Sequence, residues 1–95
     1  MKINFNVNVV NFAGEIIKND KGEDLKIKDI IISLLLNKKD LNESEKYKYF
    51  LLCKKIYDDE NDYTIDEIRL ILDEIKNLNV YLYGFIYEYI NKHIK

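Results

Sequence analysis

Ile3, Phe5, Val7 and Val9 alternate with Asn4, Asn6 and Asn8, the period-2 pattern of a strand that buries one face. Ala13-Gly14 offers a turn, Glu15 to Lys18 is a short β-branched stretch, and Asn19-Asp20-Lys21-Gly22 offers a second turn. With Leu25–Ile27 as a last strand, residues 1–27 are expected to form a short antiparallel β-hairpin or three-stranded meander. So small a sheet is not stable alone and has to lie on helices.

From Lys28 the spacing turns helical, with Ile30, Ile31, Leu34 and Leu35 on one face and Asn37 as a stop. Asn42 followed by Glu45 is a capping-box pattern, which satisfies two free backbone amides and starts a second helix that runs to about Tyr57. Thr64 followed by Glu67 repeats the signal. It opens a third helix with Ile68, Ile71, Leu72, Ile75 and Leu78 on one side. Asn79 is expected to close that helix, and Val80 to about His93 to form a fourth after a very short connection. The expected fold class is α+β: the N-terminal hairpin or meander packed on about four α-helices. All of it is one domain, 1–95, with a hairpin region at 1–27 and a helical region at 28–95. No internal repeat, low-complexity tract or Gly/Ser linker is apparent to divide it.

Length and composition agree with one folded core. A chain of 95 residues buries about 60–65% of the surface that it would expose unfolded. Its hydrophobic fraction of 47%, beside 34% charged residues, is too apolar for a disordered segment. The heavy use of Ile, Lys and Asn, with a single Arg and no Pro, is what an AT-rich coding sequence produces, and it points to a low-GC bacterium or a virus of one. The net charge of −2 gives no overall attraction to nucleic acid or to an anionic membrane. A lone cysteine, Cys53, makes no internal disulfide. The opening MKINFNVNVV lacks the unbroken apolar block of a signal peptide, and no apolar run approaches the roughly 20 residues that span a bilayer. The expected location is the cytoplasm, with no membrane partner.

Candidate chemistry is sparse. His93, the single histidine, has no nucleophile or orienting group nearby in sequence, and Cys53 sits mid-helix with no second thiol. Asp58, Glu60, Asp62, Thr64 and Asp66 fall where an EF-hand loop takes its calcium ligands, but Tyr63 replaces the required glycine and Arg69 the bidentate glutamate. Phosphate loops, metal-spaced His or Cys pairs and nucleophile elbows do not occur. The expectation is a protein that is not an enzyme and uses no cofactor.

Surface features remain. Residues 58–74 carry eight acids (Asp58, Asp59, Glu60, Asp62, Asp66, Glu67, Asp73, Glu74) against Arg69, while residues 26–55 carry eight lysines against four acids. Such a charge-polarised chain presents either two solvated faces or an acidic patch that docks on a basic groove. On the fourth helix Tyr81 and Phe85 project on the side of Glu88 and Lys92, and on the third Leu70 projects beside Glu74 and Asn77. Apolar side chains among charges are candidate partner anchors, or the mark of a last helix wrapped on two sides. Lys46, Lys48, Lys54 and Lys55 are interrupted by acids and come without Arg, which disfavours direct nucleic-acid binding.

The order of a β-hairpin around NFAGEIIKNDKG, a helix entered at LKIKDIIISLLL, a helix ending KKIYDDE, the capped helix TIDEIRLILDEI and a final YGFIYEYI resembles a set of small uncharacterised proteins of tailed bacteriophages and prophages. The likeness runs over nearly the whole chain. It implies a non-enzymatic phage product with a protein partner: an inhibitor of a host nuclease or defence effector, in the manner of anti-CRISPR proteins, acting through the acidic and aromatic surface. A virion-assembly or structural accessory protein and a small nucleic-acid-binding regulator are the alternatives, with a homodimer through the aromatic surface as the other partner left open.

Overall fold

The structure, a computed structural model, describes residues 1–94. Three of its four α-helices begin where a side chain takes up a free backbone N–H group. Helix α1 spans Ile27–Leu36, α2 Glu43–Tyr57, α3 Ile65–Glu74 and α4 Val80–Asn91, with one 3₁₀ turn, Ile75–Asn77, between α3 and α4. Both capping boxes form. Asn42 Oδ1 accepts from the Glu45 N–H at 2.8 Å while the Glu45 carboxylate accepts from the Asn42 N–H at 3.2 Å. Thr64 and Glu67 exchange the equivalent bonds at 3.1 and 2.8 Å. Each cap contributes about 1 kcal/mol.

The third helix is shorter than its apolar periodicity predicts. After Glu74 the backbone tightens into the 3₁₀ turn, which carries Ile75 into the core. Asn79 does not close α3; its side chain accepts from the Leu82 N–H at 2.9 Å and starts α4. Ile27, expected in a strand, is the first residue of α1.

One core joins all parts. Ile27, Ile31 and Leu35 of α1, Leu52 and Ile56 of α2, Ile68 and Ile71 of α3 and Ile86 and Ile90 of α4 are buried together with Ile3, Phe5 and Val9. Each fully buried side chain of this size stabilises by about 1.5–3 kcal/mol. No helix among the described residues is long and apolar enough to cross a membrane.

The expected β-hairpin or meander does not form: the described residues contain no β-sheet, only isolated antiparallel bridges. The α+β expectation is therefore corrected to a four-helix globule with an irregular N-terminal segment. The reason lies in the geometry of three short segments. Val10 bridges Ile16, Lys18 bridges Asp24, and Lys26 bridges back to Asn8. Each of 8–10, 16–18 and 24–26 thus pairs with one neighbour at its first residue and with the other at its third. No ladder can run past one bridge, because the next residue already belongs to a different partner. The middle residues close a ring: Val9 N–H donates to Leu25 C=O at 2.8 Å, Leu25 N–H to Ile17 C=O at 2.9 Å and Ile17 N–H to Val9 C=O at 2.9 Å.

Two matching turns link the segments, an internal repeat that apolar periodicity does not reveal. Asn11-Phe12-Ala13-Gly14-Glu15 and Asn19-Asp20-Lys21-Gly22-Glu23 share Asn, Gly and Glu at intervals of eight residues. In each, the Asn side chain accepts from the backbone N–H two and four residues on, at 2.9 and 3.0 Å in both turns. The Gly N–H donates to the Asn C=O at 2.9 Å in the first turn and 3.0 Å in the second. Gly14 and Gly22 sit at φ +84° and +78°, the left-handed region that a side chain enters at a cost of about 1–2 kcal/mol. A Cβ at either glycine would meet nothing within 4 Å, so strain is the whole cost of adding one. Gly14→Ala and Gly22→Ala are each expected to lower stability by about 1 kcal/mol, equally within error, in urea unfolding followed by circular dichroism. Unequal losses would show that the two turns are not equivalent.

Candidate functional site

The extended segment before α3 is sewn to the N-terminus. Ile3 N–H donates to Asn61 C=O at 2.8 Å, Tyr63 N–H to Met1 C=O at 2.8 Å, and the Met1 ammonium to Tyr63 C=O at 2.9 Å. Tyr63, where an EF-hand loop needs glycine, is 3% exposed and meets Phe5 edge to face at 5.2 Å. Burial, reinforced by Glu67, Glu60 and Asp59, drives its phenol well above the ordinary range. Asp62 pairs with the Met1 ammonium at 3.3 Å, and Thr64 caps α3. The segment is built as a seam with the N-terminus, its backbone straight where a calcium loop has to curl.

Of the eight acids between 58 and 74, five lie within ion-pair distance of a cation: Asp59 to Lys28 at 3.0 Å, Asp62 to the Met1 ammonium, Glu67 to Lys55 at 2.9 Å, Asp73 to Lys76 at 3.3 Å and Glu74 to Lys38 at 3.5 Å. Three of those partners come from the lysine-rich stretch 26–55. The two charge blocks therefore meet across the fold, and only Asp58, Glu60 and Asp66 have no cation partner among the described residues. Burial disfavours ionised Glu67, but the Thr64 backbone N–H and Lys55 outweigh it, so its carboxyl is held below the usual range.

Glu74 is the one buried charged residue among the described residues, 3% exposed. It accepts from the Tyr49 hydroxyl at 3.0 Å and lies beside Lys38, so that one carboxylate ties the end of α3 to α2 and to the residues after α1. The sequence pattern placed Glu74 on an acidic surface; the contacts make it an internal staple. A shallow cavity of about 350 Å³ opens beside it, lined by Ser33, Asn37, Lys38, Lys39 and Asn77 as well as Glu74. No histidine or thiol reaches it. His93 instead donates its Nδ1–H to Tyr89 C=O at 2.8 Å, and Cys53 is buried, its thiol pushed up by desolvation. General acid–base chemistry needs a reactant position within hydrogen-bond reach of a free acid or base, and here the acid is already held by its own neighbours.

The aromatic features lead to a different surface. Tyr81 and Phe85 are half-buried. The Tyr81 hydroxyl donates to the Val10 carbonyl, and Phe12 meets Tyr81 edge to face at 4.9 Å. Phe12 is 97% exposed and Val80 91%. Together with Gly84, these side chains line an apolar groove of about 590 Å³, with Glu88 at its edge. The missing Cβ of Gly84 leaves open space between them. Leu70, half-buried against the core on α3, is not among the residues that line this groove with Tyr81 and Phe85. Phe12 and Val80 escaped the sequence reading. Phe12 was legible as the one large apolar residue in a repeated turn whose second copy has Asp20 at that position. Val80 looked like a helix start and is one, with its side chain in solvent.

Comparison with protein-family models, curated proteins and solved structures finds no match.

The Glu74 staple gives a prediction. Tyr49→Phe removes the hydroxyl donor and leaves a buried carboxylate under-satisfied, which should cost about 1–3 kcal/mol in urea unfolding at neutral pH. Burial first, then Glu74, pushes the Tyr49 phenol from 10.0 up to about 12. A raised phenol resists ionisation in the folded state, so its contribution is complete below pH 10 and lost as pH rises through 12. Wild-type stability should fall over that window, and in Tyr49→Phe the part due to Tyr49 should be absent.

Proposed function

We propose that this chain is a non-catalytic protein-binding module whose docking element is the groove between the first turn and α4. The observation that carries the reading is Phe12. The repeated turn demands Asn for its side-chain acceptor and Gly for its left-handed backbone, but the intervening positions are free, as Asp20 and Lys21 in the second turn attest. Phe12 is thus not required by the turn, and at 97% exposure it is not required by the core. Leaving so large an apolar ring in water is unfavourable unless something covers it. The groove that it flanks offers two further aromatic walls, Tyr81 and Phe85, which suit an inserted apolar anchor. Glu88 at the rim favours a basic residue beside that anchor. The expected occupant is therefore a protein segment with an aromatic or aliphatic side chain next to Lys or Arg.

An inhibitor acting through acids on a nucleic-acid-binding surface is the second reading. It would rely on Asp58, Glu60 and Asp66, the acids that keep a free charge, and so has less field behind it than the sequence count implies. A phage origin would be compatible with either, and with an assembly role.

Phe12→Asp copies the second turn and should leave the unfolding midpoint unchanged. Panned against a displayed library of random short peptides, the wild-type chain is expected to enrich sequences with an apolar anchor beside a base. Their affinity should fall about tenfold or more in Phe12→Asp, as for an interface hot spot. Enrichment no better than on an unrelated protein, or peptides indifferent to the substitution, would remove the groove as the docking element.

A further inference from the structure

Helix α2 has two apolar faces where a surface helix needs one. Tyr49, Leu52, Cys53 and Ile56 face the core. On the outer side Tyr47 is 63% exposed, Phe50 53% and Leu51 45%, with the Tyr47 and Phe50 rings stacked at 6.4 Å. Leu36, 62% exposed at the end of α1, and Leu41 share a cleft with Phe50 and widen this apolar face.

The outer stripe is ordered. Glu43, Tyr47, Phe50 and Lys54 follow one another at alternating steps of four, three and four, the spacing of a coiled-coil seam. Tyr47 and Phe50 are equidistant from a point between Lys48 and Tyr49, and so are Glu43 and Lys54. Both charged residues are exposed and neither has an ion-pair partner among the described residues.

We propose that α2 is a homodimerisation helix that pairs antiparallel with α2 of a second copy. A two-fold axis at that midpoint sets Tyr47 of each chain against Phe50 of the other and Glu43 of each against Lys54 of the other. The stripe is therefore complementary to itself in charge and in apolar shape, as an isologous interface has to be. A parallel pair would set glutamate on glutamate and lysine on lysine, which disfavours it. A foreign partner would need only an apolar face, whereas the mirror arrangement of acid, ring, ring and base is what a second copy requires. This interface is separate from the Phe12 groove and stands whether or not that groove binds protein.

Sedimentation equilibrium on the full chain tests it. The wild type is expected to dimerise reversibly, and Phe50→Glu to be monomeric with a circular dichroism spectrum unchanged. The charged ends provide a test that does not depend on the apolar change. Glu43→Lys alone and Lys54→Glu alone each place like charges across both ends, and should weaken the dimer on the order of tenfold for the two surface pairs altered. The combined Glu43→Lys, Lys54→Glu chain restores opposite charges and should recover wild-type affinity. A wild-type monomer at roughly millimolar concentration, a double variant no tighter than the single ones, or a dimer that survives Phe50→Glu would each overturn the proposal.

Discussion

The ring of hydrogen bonds among Val9, Ile17 and Leu25 is the constraint on which the N-terminal third of the molecule depends. Three segments meet end to end in a triangle in which the middle residue of each spends its N–H on one neighbour and its C=O on the other, and the links between them are turned outward as two tight loops. Val9 is thereby driven into the core while Ile17 and Leu25 pack at its edge. The same ring delivers Lys26 to the start of α1, where Ile27 N–H donates to Val7 C=O at 3.0 Å and Lys28 N–H to Phe5 C=O at 2.9 Å. The position of Phe12 over α4 follows from it as well, since the Tyr81 hydroxyl reaches Val10, a member of the bridging segment.

A second organising principle is electrostatic. The chain is written as a basic block followed by an acidic one, and the fold lays one on the other: Lys28 on Asp59, Lys38 on Glu74, Lys55 on Glu67. Exposed pairs contribute little individually, as at Lys76–Asp73. Glu74 differs, because its carboxylate is out of water and is met by a hydroxyl and an ammonium from two other parts of the chain. Pairing in this way also consumes the field that a run of acids would project, so a charge count along the sequence overstates what the surface offers to a partner.

These two facts explain what was legible in the sequence and what was not. The helices were, because capping boxes and helical spacing are local: Asn42 and Glu45, and Thr64 and Glu67, decide a helix start within four residues. The alternation of Ile3, Phe5, Val7 and Val9 does mark burial, for Ile3, Phe5 and Val9 are in the core, but the strand it predicts does not form: Val7 N–H turns back onto Phe5 C=O at 2.9 Å. What failed was the inference from alternation to a sheet. Alternation reports burial of one face and says nothing about how many consecutive residues share one neighbour. That information was present instead in the Asn-x-x-Gly-Glu repeat, which fixes two identical turns and hence the triangle. The site was half legible. Tyr81 and Phe85 stood out by their helical projection, whereas Phe12 becomes visible only once the repeat shows that its position is unconstrained. The acids were legible but their pairing was not, because their cations come from residues up to 61 positions away, as Met1 does for Asp62.

The distribution of apolar side chains then separates folding from binding. Core contacts of α2 and α4 are supplied by Leu52, Cys53, Ile56, Ile86 and Ile90, all buried, with Tyr49, Leu82, Tyr83 and Tyr89 packed half-buried against them. Tyr47, Phe50 and Leu51 on one helix and Val80 on the other add little to that packing and are disfavoured in water. A chain of this size has a small stability margin, typically 5–15 kcal/mol, and exposed aromatic rings do not raise it. Because the outer positions can be changed without opening the core, interaction and folding are carried by different residues on the same helices. An effect of such a change on association is then attributable to the surface itself, which is the condition under which a surface with no chemistry of its own can be assigned a role at all.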